Sequence, residues 1–257
     1  MSKKKVVLIF VLGILVGALA GFKLGIEYNL KKINNAVLVQ EESKATIAKS
    51  KVNEQMTKLS SLINNDDNRL FELVNKDNIL ESSYIPSDLV YPKVNCVISG
   101  KDNRNLMRRT AASALEEMFN AAKKDNVQLY LNSAFRAYLT QKAVYQAGEQ
   151  NSTTTGDYIA RPGESEHQTG LAVDICSKSA NYKLDENFGN TKEGKWLLAN
   201  AYKYGFILRY PKDKESITGY NYEAWHYRYV GTELAKYLND NKLTLDEVYN
   251  QIKLTKK

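Results

Sequence analysis

Proline and glycine divide this chain before any motif is read. All four prolines, Pro86, Pro92, Pro162 and Pro211, lie beyond residue 80, and no glycine occurs between Gly25 and Gly100. Proline removes a backbone donor and glycine weakens a helix interior, so a stretch with neither is free to run as one long helix. From Glu27 to about Leu73 the chain is rich in Lys, Glu, Gln, Asn and Ser with spaced apolar positions, which predicts a helical stalk. Leu30, Ile33 and Val37 keep a three-then-four spacing, as do Val52, Met56, Leu59 and Ile63, but Gln40, Lys44 and Lys51 interrupt the seam. The expectation is a solvated spacer rather than a continuous coiled coil.

Ahead of the stalk, Lys3, Lys4 and Lys5 precede the uncharged run from Val6 to Phe22. At ~1.5 Å per residue this run spans ~26 Å, short of a hydrocarbon core of ~30 Å unless Leu24 and Ile26 join it. The lysines predict that the N-terminus stays inside. Ala18-Leu19-Ala20 is compatible with signal cleavage, whereas Gly13, Gly17, Gly21 and Gly25 recur every four residues along one helix face, as in helices that pack closely in lipid. The expected organisation is a membrane anchor over 1–26 (with a cleaved, secreted form as the alternative), a stalk over 27–69 and a folded domain over 70–257. The glycine face is compatible with a homodimer.

Composition excludes more than it proposes. The formal charge of +7 comes in part from the terminal lysines and leaves no concentrated nucleic-acid footprint. Cys96 and Cys176 are too few for a disulfide framework and have no Cys-x-x-Cys spacing, so a buried thiol and a single Cys96–Cys176 bridge both stay open.

The chain holds only two histidines, and both lie in candidate site motifs. His167 and Asp174 belong to the stretch Ser165-Glu166-His167-Gln168-Thr169-Gly170-Leu171-Ala172-Val173-Asp174, and His226 to the aromatic run Tyr222-Glu223-Ala224-Trp225-His226-Tyr227. Two nitrogens and one carboxylate oxygen suit Zn²⁺ with a fourth position open. Glu223, three residues before His226, is placed to take a proton from the attacking water. Taken singly, a histidine beside apolar residues is more often a hydrogen-bonded structural residue than a ligand. In a regular strand, residues three apart face opposite sides, so Glu223 and His226 converge only if the chain bends at Ala224-Trp225.

Amphipathic spacing predicts helices over Asn105 to Asp125, Thr140 to Gln150 and Glu193 to Tyr204, the last ended by Gly205. Strands are expected at Val127 to Leu131, delivering Ser133 and Arg136 to a loop, and at Ala172 to Cys176, Phe206 to Arg209 and Tyr222 to Val230. Asn151 to Asp157 reads as a mobile loop beside the site, and Thr244 with Glu247 as a capping box for a final helix.

The segments Ser133-Ala134-Phe135-Arg136, Ala160 through Ile175, Tyr204 through Pro211 and Glu223 through Gly231 resemble, in order, the VanY-type D-alanyl-D-alanine carboxypeptidases. These are zinc peptidases that share a fold with the Hedgehog signalling domain. The resemblance covers about residues 70 to 240 and departs at Ala224, where that family usually has proline. It implies an α+β domain with a mainly antiparallel sheet and flanking helices. It also implies zinc held by His167, Asp174 and His226, with Glu223 as base, and removal of the terminal D-alanine from peptidoglycan stem peptides outside the membrane. Arg136 would meet the substrate or the developing charge, with Ser165 and Gln141 as weaker substrate contacts. Alternatives are an L,D-carboxypeptidase acting on the tetrapeptide, an endopeptidase, and a non-catalytic wall-binding module that keeps zinc for structure. An unligated Glu223 argues against the module. A serine mechanism has no spare histidine and neither of its usual motifs.

Overall fold

The computed structural model describes residues 3–151 and 159–255, without the side chains of the first helix up to Gly21 and of several residues between 24 and 51. The chain divides into two units, Met1–Leu59 and Ser60–Lys257. Helix α1 (Lys3–Asn64) makes up the first unit and continues a short way beyond it. Leu30, Ile33, Val37 and Val52 are exposed, whereas Leu59 is buried. Among the described residues no helix is long and apolar enough to cross a membrane. The side chains of the expected anchor up to Gly21 lie outside the described residues, as does the loop expected at Asn151 to Asp157 apart from Asn151, which ends a helix.

The second unit is built on an antiparallel sheet of four strands. These are β3 (Tyr130–Ser133), β4 (Ala172–Cys176), β5 (Phe206–Leu208) and β6 (His226–Tyr229), in the order β3-β4-β6-β5. A small antiparallel pair, β1 (Leu89–Val90) with β2 (Met107–Arg108), leads into α2 (Arg109–Lys124). The expected α+β class with flanking helices is therefore present.

Alternation along β4 sorts its side chains. Val173 and Ile175 join the core with Leu131 and Tyr227, and the buried stripe Ala111, Ala112, Leu115, Met118, Phe119 and Ala122 of α2 belongs to the same core. Asp174, between them in sequence, points to the opposite face. All five residues of β4 are buried, so both faces of this strand are covered.

The remaining elements hold the sheet's ends. Helix α3 (Tyr138–Asn151) follows the β3 loop, and α4 (Lys192–Asn200) starts where the Thr191 hydroxyl accepts from Gly194 N at 3.0 Å. A 3₁₀ turn over Ala201–Tyr204 then ends at Gly205, whose φ of 82° is a left-handed conformation. The short α5 (Glu215–Thr218), α6 (Gly231–Asn241) and α7 (Leu245–Thr255) complete the unit. The capping box forms as expected: Thr244 N donates to Glu247 Oε2 at 2.7 Å and Glu247 N to Thr244 Oγ1 at 3.2 Å.

Three element boundaries differ from expectation for identifiable reasons. The helix expected from Asn105 starts at Arg109, because Asp102 caps a 3₁₀ turn at Asn103–Asn105 and, after Leu106, Met107 and Arg108 pair as β2. The strand expected over Val127 to Leu131 lies at Tyr130–Ser133, because its register is fixed by pairing of Ser133 with Asp174, past an irregularity between Leu131 and Ser133. Ser133 is thus in the sheet and only Arg136 in the loop. The strand expected from Tyr222 starts at His226, because the chain first makes a turn. The Cys96–Cys176 bridge is absent: both cysteines are free, and Cys176 Sγ donates to Tyr130 O at 3.7 Å.

Gly194 lies within α4, where helix propensity alone favours alanine by about 0.5–1 kcal/mol. A Cβ there would overlap the Phe188 carbonyl and sit 3.0 Å from Gly189 Cα. Gly194→Ala is therefore expected to destabilise the protein by about 1–3 kcal/mol, read as a fall in the urea midpoint at constant m-value.

Candidate metal centre

Sheet register brings the centre together. Asp174 pairs with Ser133 of β3 on one side and with His226 of β6 on the other. His167 arrives from a 3₁₀ turn over Glu166–Thr169, which Gly170 ends at φ 67° so that the chain can enter β4. His167 Nε2 lies 3.2 Å from Asp174 Oδ2 and His226 Nδ1 lies 3.0 Å from Asp174 Oδ1. One donor atom from each of the three residues falls within 4.8 Å of the others, and all three residues are buried.

The two imidazoles use opposite ring atoms. His167 Nδ1 is 2.5 Å from the Ala134 carbonyl, which only accepts, so Nδ1 carries the hydrogen and Nε2 faces the centre bare. His226 presents Nδ1 to the centre and directs Nε2 at Glu166 Oε2, 3.4 Å away. The rings meet edge-to-face, with centroids 4.9 Å apart.

Charge balance tests whether a cation fits. Burial on its own opposes ionisation of Asp174, yet the two histidines outweigh it and hold the carboxyl well below its usual range. Burial lowers His167, so that ring is neutral and able to donate a lone pair. Burial also works to lower His226, but hydrogen bonds to Asp174 and Glu166 prevail and push it up to about 9. The centre thus attracts positive charge, which a proton satisfies here and a divalent cation satisfies with three donors of the N, N, O set that zinc takes.

Glu223 stands next to this set without belonging to it. Its Oε2 is 3.8 Å from His226 Nδ1, and burial pushes its carboxyl up to about 7. The expected bend is present: the chain turns at Ala224 and Trp225, with His226 N donating to Glu223 O at 3.3 Å and Glu223 N to Tyr210 O at 3.1 Å.

The seven residues singled out in the sequence all line one cavity of about 230 Å³. These are Arg136, Gln141, Ser165, His167, Asp174, Glu223 and His226. Arg136 Nη2 approaches Asp174 Oδ2 at 4.0 Å, and its Nη1 donates to Gln141 Oε1 at 2.9 Å. Gln141 is itself fixed by its own Nε2, which donates to Ala160 O at 2.6 Å. Gln141 therefore orients the arginine while lining the same cavity.

Sequence reasoning missed the polar residues behind the donors. Ser133 Oγ donates to Asp174 Oδ2 at 2.8 Å, and Tyr210 stacks on His226 with ring centroids 5.0 Å apart. Glu166, Arg209 and Arg228 are all buried. The available signal was the presence of arginines at the end of one apolar strand and inside another, where an unpaired charge cannot be accommodated.

Comparison with known proteins is consistent with this geometry. The family described as VanY, D-alanyl-D-alanine carboxypeptidase, matches residues 104–232. The chain is 48% identical over 193 residues to the putative carboxypeptidase YodJ of Bacillus subtilis, covering 74% of this chain and 70% of that protein. It is 34% identical over 186 residues to a D-alanyl-D-alanine carboxypeptidase of Enterococcus faecium, covering 70% and 57%. Among solved structures it resembles the LdcB LD-carboxypeptidase, with a TM-score of 0.67, 49% identity and coverage of 69% and 84%. It also resembles a vancomycin-resistance D,D-pentapeptidase VanY variant in complex with Zn(II), with a TM-score of 0.57, 31% identity and coverage of 70% and 98%.

If the three donors form the site, Zn²⁺ at a hundredfold excess over its dissociation constant stabilises the folded protein by about 2.7 kcal/mol. Asp174→Ala is expected to lose that gain, measured as the zinc-dependent rise in Tm.

Proposed function

The chain belongs to the VanY family of D-alanyl-D-alanine carboxypeptidases, and we propose that it removes the terminal D-alanine from peptidoglycan stem peptides in the cavity around His167, Asp174 and His226. It is a zinc metallopeptidase, in line with its carboxypeptidase relatives and the zinc-containing VanY structure. The observation that carries the reading is an unligated, buried Glu223 beside three converging donors. Zn²⁺ held by these donors supplies a Lewis acid for the scissile carbonyl and activation of the attacking water.

This chain's residues account for the rest. Glu223 accepts the proton of the attacking water and returns it to the departing amine, a role that needs an ionised carboxylate. Arg136, held by Gln141, presents its guanidinium to the cavity, where it can pair with the peptide's terminal carboxylate or the developing oxyanion. Ser165, on the cavity wall, is a substrate contact in this reading.

A second reading is L,D cleavage of the stem tetrapeptide. It is supported by the likeness to the LdcB LD-carboxypeptidase, which exceeds the likeness to the VanY structure in both identity and TM-score. The uncharged run behind three lysines supports anchoring through residues 1–26, with the domain held outside the membrane on the stalk and the glycine face as a dimer contact.

Mass spectrometry of products from a stem pentapeptide and a tetrapeptide, with and without chelator, tests the reading. Loss of one alanine from the pentapeptide, blocked by chelator and restored by zinc, is the expected result. Loss from the tetrapeptide alone selects the L,D reading, and cleavage of neither by zinc-loaded protein rejects both. Glu223→Gln is expected to lower kcat by roughly 10²–10⁴-fold while leaving zinc bound. A protonated Glu223 cannot serve as base, and a bound cation draws its pKa down. The acid limb of kcat/KM therefore lies at or below about pH 7.

A further inference from the structure

A buried ion network stands behind the three donors and reaches beyond residues 104–232, the segment that matches the family. Glu166 Oε1 accepts from Arg209 Nε at 2.7 Å and from Arg228 Nη1 at 2.9 Å. Arg209 donates in turn to both oxygens of Asp246, at 2.6 and 3.3 Å, and Asp246 accepts from the Asn75 amide at 2.9 Å. Arg228 Nη2 donates to the carbonyls of Leu70 and Glu72 at 3.3 and 2.8 Å. Two arginines meet two acids, so the network closes its own charge and leaves Glu166 Oε2 available as an acceptor.

We propose that Glu166 is a positioning residue for His226: its carboxylate, pinned by Arg209 and Arg228, accepts the Nε2 hydrogen at 3.4 Å, so that the hydrogen Nδ1 shares with Asp174 Oδ1 at 3.0 Å is the one a cation displaces, leaving Nδ1 bare for the metal. A neutral imidazole carries one hydrogen, and a partner that can only accept selects which nitrogen holds it. The Ala134 carbonyl makes the opposite selection for His167. Tyr210 covers one face of the His226 ring at an interplanar angle of 28°, which limits its rotation. Outer hydrogen-bond partners of this kind fix ligand orientation and basicity at metal sites. Residues flanking the family-matched segment, Asn75 and Asp246, thus take part in aiming a ligand within it.

The proposal rests on the zinc reading, and the test separates the two. In Glu166→Gln the amide cannot offer acceptors to Arg209, Arg228 and His226 together. Zn²⁺ affinity of the full-length protein, measured by competition with a chromogenic chelator, is expected to fall by about 10- to 100-fold, with kcat/KM at saturating zinc falling as well. Equal affinity in a variant that folds overturns the proposal, since a purely structural Glu166 would lower Tm and leave the metal site unchanged. A wild-type protein that binds no zinc overturns the underlying reading instead. Should the variant fail to fold, the imidazole ¹⁵N spectrum of the zinc-loaded wild type decides, because the chain has only two histidines. One ring protonated at Nδ1 and the other at Nε2 is expected. Two rings of the same tautomer overturn the proposal.

Discussion

The pairing of Asp174 with His226 across two antiparallel strands is the contact on which the rest of the structure depends. Side chains on a strand alternate between faces, so a slip of one residue between β4 and β6 would turn one of the two donors into the opposite layer. The apolar neighbours enforce the register. Val173 and Tyr227 also face each other across this pair and both belong to the core, so the core and the polar centre are satisfied by the same alignment. Ser133, on the third strand, extends it by donating to Asp174 from the other side.

The polar side of the sheet is costly to bury, and the structure meets that cost by pairing the charged groups of Glu166, Arg209 and Arg228. Glu166, Arg209 and Arg228 have no exposed side-chain surface. Burial alone opposes the charge on Glu166, yet the two guanidiniums hold its carboxyl far below the usual carboxylate range. Breaking such a pair by removing one partner typically costs about 3–5 kcal/mol. Because that carboxylate is depressed, its contribution to stability is present above the ordinary glutamate range and declines as pH falls through it. The same residues that carry this risk also frame the centre, which couples folding of the strand ends to the geometry of the donors.

Most of the fold and the donor set were legible in the sequence, and the reasons are specific. His167, Asp174, Glu223 and His226 stood out because histidine is scarce here and because their motifs resemble a family. The bend at Ala224-Trp225 followed from the conflict between a three-residue spacing and a two-residue strand period. The final helix announced itself through Thr244 and Glu247. What was illegible depended on partners distant in sequence. The start of α2 was displaced by a cap at Asp102, and β3 took its register from a strand some forty residues later. Glu166 sat beside a recognised ligand, but its role became visible only once Arg209 and Arg228 were placed around it.

The free thiol of Cys176 bears on metal selectivity. It stands two residues beyond Asp174 on β4, ~7 Å along the strand, and a thiolate so near would compete for soft metals. Burial pushes that thiol up to about 11, with the Asp174 charge adding to the effect. The sulfur therefore stays protonated, a poor ligand and a slow target for oxidants. The three donors His167, Asp174 and His226 therefore face no competing thiolate on the strand that carries the carboxylate.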